Sequence, residues 1–199
     1  MGCDIHTRIE YKDRDGKWVC GDFFRLYPRF DPHAPEGREP YHVVGLCDDR
    51  DYELFATLAD VRNYDEVPCI DEPRGIPEDV CENTKKDYKA WGEDAHSASH
   101  FTLRELIDWN NSASSMIKRS GFVTLEAAEN LDKGIEPEMW CRWTNNPEYV
   151  WREWETECKP LDRLIEDMKR RGYDLWLWFS EKSLEERADT MRIVFWFDN

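Results

Sequence analysis

Long apolar runs are missing from this 199-residue chain. Nothing approaches the roughly 18 consecutive apolar residues needed to cross a bilayer, so no membrane span is expected. Basic residues are few beside acidic ones. There are 27 Lys and Arg against 43 Asp and Glu, and the net charge of −16 repels a polynucleotide backbone unless the cations cluster strongly. Long DNA or RNA is therefore not an expected partner. A small anion held by a few local arginines is compatible with that field, as is an acidic protein that mimics DNA. Walker A, GxGxxG, HExxH, GxSxG and EF-hand patterns are all lacking, which removes support for the common nucleotide, zincin, esterase and calcium readings. The seven cysteines follow no CxxC or zinc-knuckle spacing, and no signal peptide precedes them. Free thiols in a reducing cytoplasm are the expectation. Met1-Gly2-Cys3 resembles the start of a myristoylation signal, but His6 stands where that signal needs Ser or Thr, so no lipid anchor is expected. Internal repeats and low-complexity tracts are absent too.

What is present is ample material for a core: 40% of the residues are hydrophobic, enough for one domain or one domain with a large insertion. Strand patterning begins at once. Cys3, Ile5, Thr7, Ile9 and Tyr11 alternate with Asp4, His6, Arg8, Glu10 and Lys12, giving an amphipathic strand with a charged row on one face. Asp13–Lys17 reads as a turn and Trp18-Val19-Cys20 as the hairpin partner. Pro28, Pro32, Pro35 and Pro40 mark a loop, and Tyr41–Leu46 another strand. Leu54, Phe55, Leu58 and Val61 sit at helical spacing behind the acidic cluster Asp48, Asp49 and Asp51, with an expected end near Arg62-Asn63.

Residues 64–101 read as a long irregular stretch, with a short helix over 78–91, and connections of this length are often functional. A helical insertion is expected over about 102–171. Thr102-Leu103-Arg104-Glu105 is a capping box, Thr124–Lys133 precedes Gly134, and Leu161, Leu164, Ile165 and Met168 form a stripe stopped by Gly172. Leu175–Phe179 and Arg192–Phe197 read as strands, the second apolar on both faces like a central strand. The expected architecture is α+β, a mostly antiparallel sheet from the two chain ends covered by helices from the middle.

Several residues can carry chemistry. Asp4 and His6, two apart on a strand, have Cα atoms about 7 Å apart on one face. They could act as acid and base or share a divalent metal, while a structural network that pairs Asp4 with an arginine is the competing reading. His96 and His100 flank a Ser/Ala segment that reads as a loop able to reach the first strand; exposed loop histidines are the plainer alternative. Arg8, Arg62-Asn63 and Glu72-Pro73-Arg74-Gly75 suit phosphate or carboxylate recognition. Against that, Arg62 can complement a helix dipole and Arg74 can close a turn. Of the ten tryptophans, Trp176, Trp178 and Trp196 could present indole faces for a base beside Arg8 and His6, although core packing explains most of them.

The opening Met-Gly-Cys-Asp-Ile-His (1–6), the ending Arg-Ile-Val-Phe-Trp-Phe-Asp-Asn (192–199) and the blocks Tyr52–Asn63 and Glu72–Val80 resemble a family of uncharacterised bacterial and phage proteins. Residues 111–150 show no such likeness. The resemblance implies a cytoplasmic protein of a bacterium or an infected host cell, and no particular activity. From the residues, the leading expectation is an enzyme acting on a small nucleotide-like phosphorylated ligand, with phosphodiester hydrolysis as the reaction and a divalent metal as the candidate cofactor. Asp4, His6, His96 and His100 would carry the chemistry; Arg8, Arg62, Asn63, Glu72, Arg74, Trp176, Trp178 and Trp196 would bind. The alternatives are a phage-type protein that sequesters such a nucleotide unchanged, and an acidic inhibitor of a DNA-binding partner.

Overall fold

Strand β1, Asp4–Lys12, alternates as its sequence demands: Ile5, Thr7 and Ile9 are buried on one face, while His6 and Arg8 are half-buried on the other. The computed structural model describes residues 2–26, 41–47, 50–113, 116–176 and 185–198. The proline-marked loop, Asp48 and Asp49 lie outside them. After a turn closed by Asp13, whose Oδ1 accepts the N–H groups of Asp15 and Lys17 at 2.9 Å, β2 (Trp18–Cys20) returns antiparallel to β1. Gly16 takes φ +78° there, a backbone state that glycine adopts without penalty. The strands β3 (Phe23–Leu26) and β4 (Tyr41–Val44) pair in a separate ribbon.

Helix α1 (Tyr52–Ala59) starts where Asp51 Oδ1 accepts the Leu54 N–H at 3.0 Å. It ends earlier than 62–63, because Asp60 turns into the left-handed region and its N–H caps the last turn. The stretch 64–101 is less irregular than its prolines suggest. It holds α2 (Glu82–Trp91) and β5 (His96–Thr102), so His96 and His100 stand on a strand instead of a loop. β-Pairing to the chain's last strand overrides the Ser/Ala composition.

Thr102 makes the full capping box of α3 (Leu103–Ser112) with Glu105. The region 102–171 is not purely helical. β6 (Met116–Thr124) and β7 (Tyr149–Glu157) form a two-stranded ribbon around α4 (Leu125–Leu131), which Thr124 caps. Helix α5 (Leu161–Trp176) buries the expected stripe but runs past Gly172. Arg171 anchors that last turn, its guanidinium 3.9 Å from the Phe23 ring, while Leu175 packs on the core. These contacts outweigh the cost of about 1 kcal/mol for a helical glycine. Leu175 and Trp176 therefore belong to a helix, not a strand, and 177–179 lie outside the described residues.

Strand β8 (Met191–Asp198) completes an antiparallel sheet of order β2-β1-β8-β5. Every residue from Met191 to Phe197 is buried, as its two-sided apolar pattern predicts. One face, with Ile5, Ile9, Phe101, Ile193, Phe195 and Phe197, packs against α1, α3 and α5 through Phe55, Leu58, Leu106, Leu164 and Met168. The fold is α+β, with the sheet built mainly from the two chain ends. No helix among the described residues is long and apolar enough to cross a membrane.

Candidate functional site

The other face of the sheet carries the charged row. Antiparallel register places Asp198 opposite Asp4, Trp196 opposite His6, Val194 opposite Arg8 and Arg192 opposite Glu10, with His100 beyond Val194 on β5. Helix α2 lies across this face. Its Thr84, Asp87, Tyr88 and Trp91 recur at the i, i+3, i+4, i+7 spacing of one helical side. Asp87 meets Arg8, Tyr88 stands edge-on to Trp196, and Trp91 meets His6.

His6 is the best-oriented titratable group of the row. Its Nε2 lies 3.2 Å from Asp198 Oδ2, while Asp198 Oδ1 accepts the Asp4 N–H at 3.2 Å. The imidazole sits between Trp91, 4.0 Å between ring centroids, and Trp196 at 5.8 Å. Burial pulls its pKa below the ordinary histidine value, with Asp198 opposing. With Nε2 turned to a carboxylate oxygen, the neutral imidazole donates from Nε2, which leaves the lone pair on Nδ1. Nδ1 has no hydrogen-bond partner among the described residues. Arg8 beside it donates to Asp87 Oδ2 at 2.8 Å and to the Thr7 carbonyl at 2.7 Å, with its guanidinium 5.2 Å from the Trp196 ring.

Two exposed guanidinium groups stand at the end of the row where β1 begins. Arg50 forks onto Asp4, with contacts of 2.6 and 3.0 Å, and holds that carboxyl below its usual range. A side chain at residue 2 would collide with the Arg50 guanidinium, so Gly2 permits this close approach. Arg62, at φ +54°, donates to Tyr64 Oη at 3.4 Å and reaches the Cys3 thiol. Arg50 was not singled out by the sequence, because nothing in its local pattern places it beside residue 4.

The remaining sequence candidates are dispersed. Arg74 is tied to Asp71 at 3.0 Å and Glu105 at 2.7 Å, and lies over the Phe101 ring. Glu72 is exposed in the same loop. Asn63 closes its own turn through Asp60 Oδ1 and the Val67 backbone. His96 stacks on Phe197, with Nδ1 3.1 Å from Ser97 Oγ and Nε2 buried without a partner among the described residues. His100 Nδ1 is 3.1 Å from the Gly75 carbonyl oxygen. Trp176 ends α5, and Trp178 lies outside the described residues. The structure thus brings together Asp4, His6, Arg8 and Trp196, with Arg62 near them through Cys3.

Asp4 turns to Arg50 while His6 turns to Asp198, and no group of three or more His, Cys, Asp or Glu among the described residues is arranged to hold a metal ion. A small crevice lined by Val67, Pro68, Trp109, Ile117, Cys158 and Pro160, among others, is touched by none of the row.

Neither a protein-family model, nor a curated protein, nor a solved structure matches this chain.

Proposed function

We propose that the protein is an enzyme acting on a small nucleotide or similar phosphorylated ligand, hydrolysing a phosphodiester at the open end of the charged row. The observation that carries this reading is the His6–Asp198 pair: a half-buried imidazole, oriented through Nε2 by a carboxylate, with its other nitrogen unpaired among the described residues. Lowered basicity keeps the ring neutral near pH 7, the state a general base needs. In this reading Nδ1 takes a proton from water as its oxygen attacks phosphorus, the ester P–O bond breaks, and solvent protonates the leaving oxygen. Asp198 steadies the imidazolium that forms. Arg50 and Arg62 stabilise the phosphoryl oxygens, the ligand displacing Asp4 from the Arg50 fork. Trp91 and Trp196 hold the imidazole plane.

The test is incubation of the wild type and His6→Ala with linear and cyclic dinucleotides, with and without EDTA, followed by chromatography of the products. Turnover by the wild type and its loss in His6→Ala, with binding retained, supports hydrolysis. Ligand recovered intact after heat release makes the protein a sequestering one. A second reading, an acidic surface that blocks a DNA-binding partner, is favoured by the net charge of −16; it gains if no nucleotide is bound or changed.

A further inference from the structure

The ribbon of β6 and β7 is a sheet of its own, outside the four-stranded one. Alternation gives it two unlike faces. Ile117, Gly121, Val123 and Thr156 are buried on the inner face. There Arg119 pairs with Glu53 of α1, and Trp140 closes over Gly121, where a Cβ would lie 2.6 Å from the indole. Phe122, Tyr149, Trp151, Glu153 and Glu155 turn to the outer face. Trp151 is 44% exposed, and Met139 and Trp143, on either side of the Cys141 that bridges to Phe122, are 82% and 77% exposed. Glu153 and Glu155 are exposed and make no ion pair among the described residues, although Lys118 stands opposite Glu155 in the register.

The outer-face residues of β7 also own its open edge. Phe122 donates its N–H to the Cys141 carbonyl at 2.8 Å and accepts the Cys141 N–H at 3.0 Å, so both of its backbone groups point away from β7. Residues directly opposite in an antiparallel pair share this alternation. Trp151 therefore turns its own N–H and C=O to the far side of β7, and Glu153 and Glu155 do the same. No strand meets them there among the described residues, and the Trp151 carbonyl is engaged only by Arg152 Nη1, at 3.0 Å.

We infer that this edge of β7 docks an extended, basic segment of a partner protein, with Lys or Arg at every second position, as a third strand of the ribbon. Backbone pairing with Glu153 and Glu155 sets alternate side chains of the segment directly against the two carboxylates. The next cation in the row meets the face of Trp151. The same glutamates select against other occupants. A second copy of β7 paired about its centre sets Glu153 against Glu153, and a polynucleotide meets a net charge of −16. A basic strand meets neither penalty. The docking edge does not depend on any chemistry at His6.

The experiment adds a fluorescent peptide of alternating Lys and Val to the full chain, reading anisotropy and residue-resolved amide hydrogen exchange. With the peptide well above its Kd, exchange at residues 151, 153 and 155 should slow by about tenfold. Combining Glu153→Gln with Glu155→Gln should weaken binding by about fivefold, the worth of two opposite-charge cross-strand pairs. A peptide methylated at its lysine backbone nitrogens keeps its charge but lacks the donors, and should not bind. Slow exchange of these amides in the free chain means that another segment already covers the edge, and exchange that slows as protein concentration rises means that a second copy does. Either result overturns the inference. Absence of peptide binding, equal binding of the methylated peptide, or unchanged affinity in the double variant overturns it too.

Discussion

Replacing Arg192 with methionine tests how the covered face of the sheet is held. Glu10 is fully buried and the Arg192 side chain only 5% exposed, with Nη2 and Nε at 2.7 and 2.8 Å from Glu10 Oε2. Arg192 also reaches Asp79 Oδ1 at 2.7 Å and lies 4.0 Å from the Trp18 ring. Methionine keeps most of the aliphatic stem, so packing changes little. The carboxylate, however, retains only the Cys81 N–H at 3.0 Å. Stranding one member of a buried pair costs about 3–5 kcal/mol, and the lost cation–π contact adds about 1 kcal/mol. We expect Arg192→Met to lose about 4–6 kcal/mol, a large share of a total stability of about 5–15 kcal/mol. Urea unfolding followed by far-UV circular dichroism measures it as a lower midpoint at unchanged slope. Adding Glu10→Gln removes the stranded charge and should restore about 2 kcal/mol. A loss below about 1 kcal/mol in the single variant, or a double variant no better than the single, would refute this account of Glu10.

Two pH-linked outcomes follow from neighbouring groups. Burial pushes Asp22 up to about 6 although it accepts the Ile9 N–H at 2.8 Å. The native state therefore holds this proton more tightly than the unfolded chain, and the associated stability, complete below pH 4, is lost as pH rises through 6. Asp22→Asn keeps an acceptor for Ile9 and should stabilise the protein by about 1–2 kcal/mol at pH 7.5. That gain should fade by pH 4; an equal difference at both pH values would rule out the linkage. His6 has the opposite sign. Its folded pKa lies below the unfolded 6.5, so its contribution is intact above pH 6.5 and is lost as pH falls through the folded value. Asp198→Asn removes the influence that raises it, and the His6 ring-proton NMR titration should move to still lower pH; an upward shift would contradict the pairing.

Particular elements show how far local pattern reaches. The Asp51 cap, the Thr102 capping box and the Leu161–Met168 stripe were legible because each depends on residues within a turn or two. The strand character of His96–Thr102 was hidden, since it depends on pairing with β8, far along the chain. For the same reason the helical state of Leu175-Trp176 was misread as strand: aromatic composition favours a strand, but the packing of Arg171 and Leu175 carries the helix past Gly172. In the candidate site, Asp4, His6 and Arg8 were readable as one row. Their partners Asp198, Arg50 and Asp87 come from three separate segments and were not.

Alternation by itself determined that the first strand carries a charged face, and two-sided apolarity determined that the last strand lies inside the sheet. Periodicity follows from backbone geometry and needs no partner. Only the tertiary structure decided that α2 covers that charged face and that Glu10 is buried with Arg192 while Asp4 stays half-exposed. Sequence sets which residues share a side; the energy of a charge or a thiol depends on what the rest of the chain brings against it.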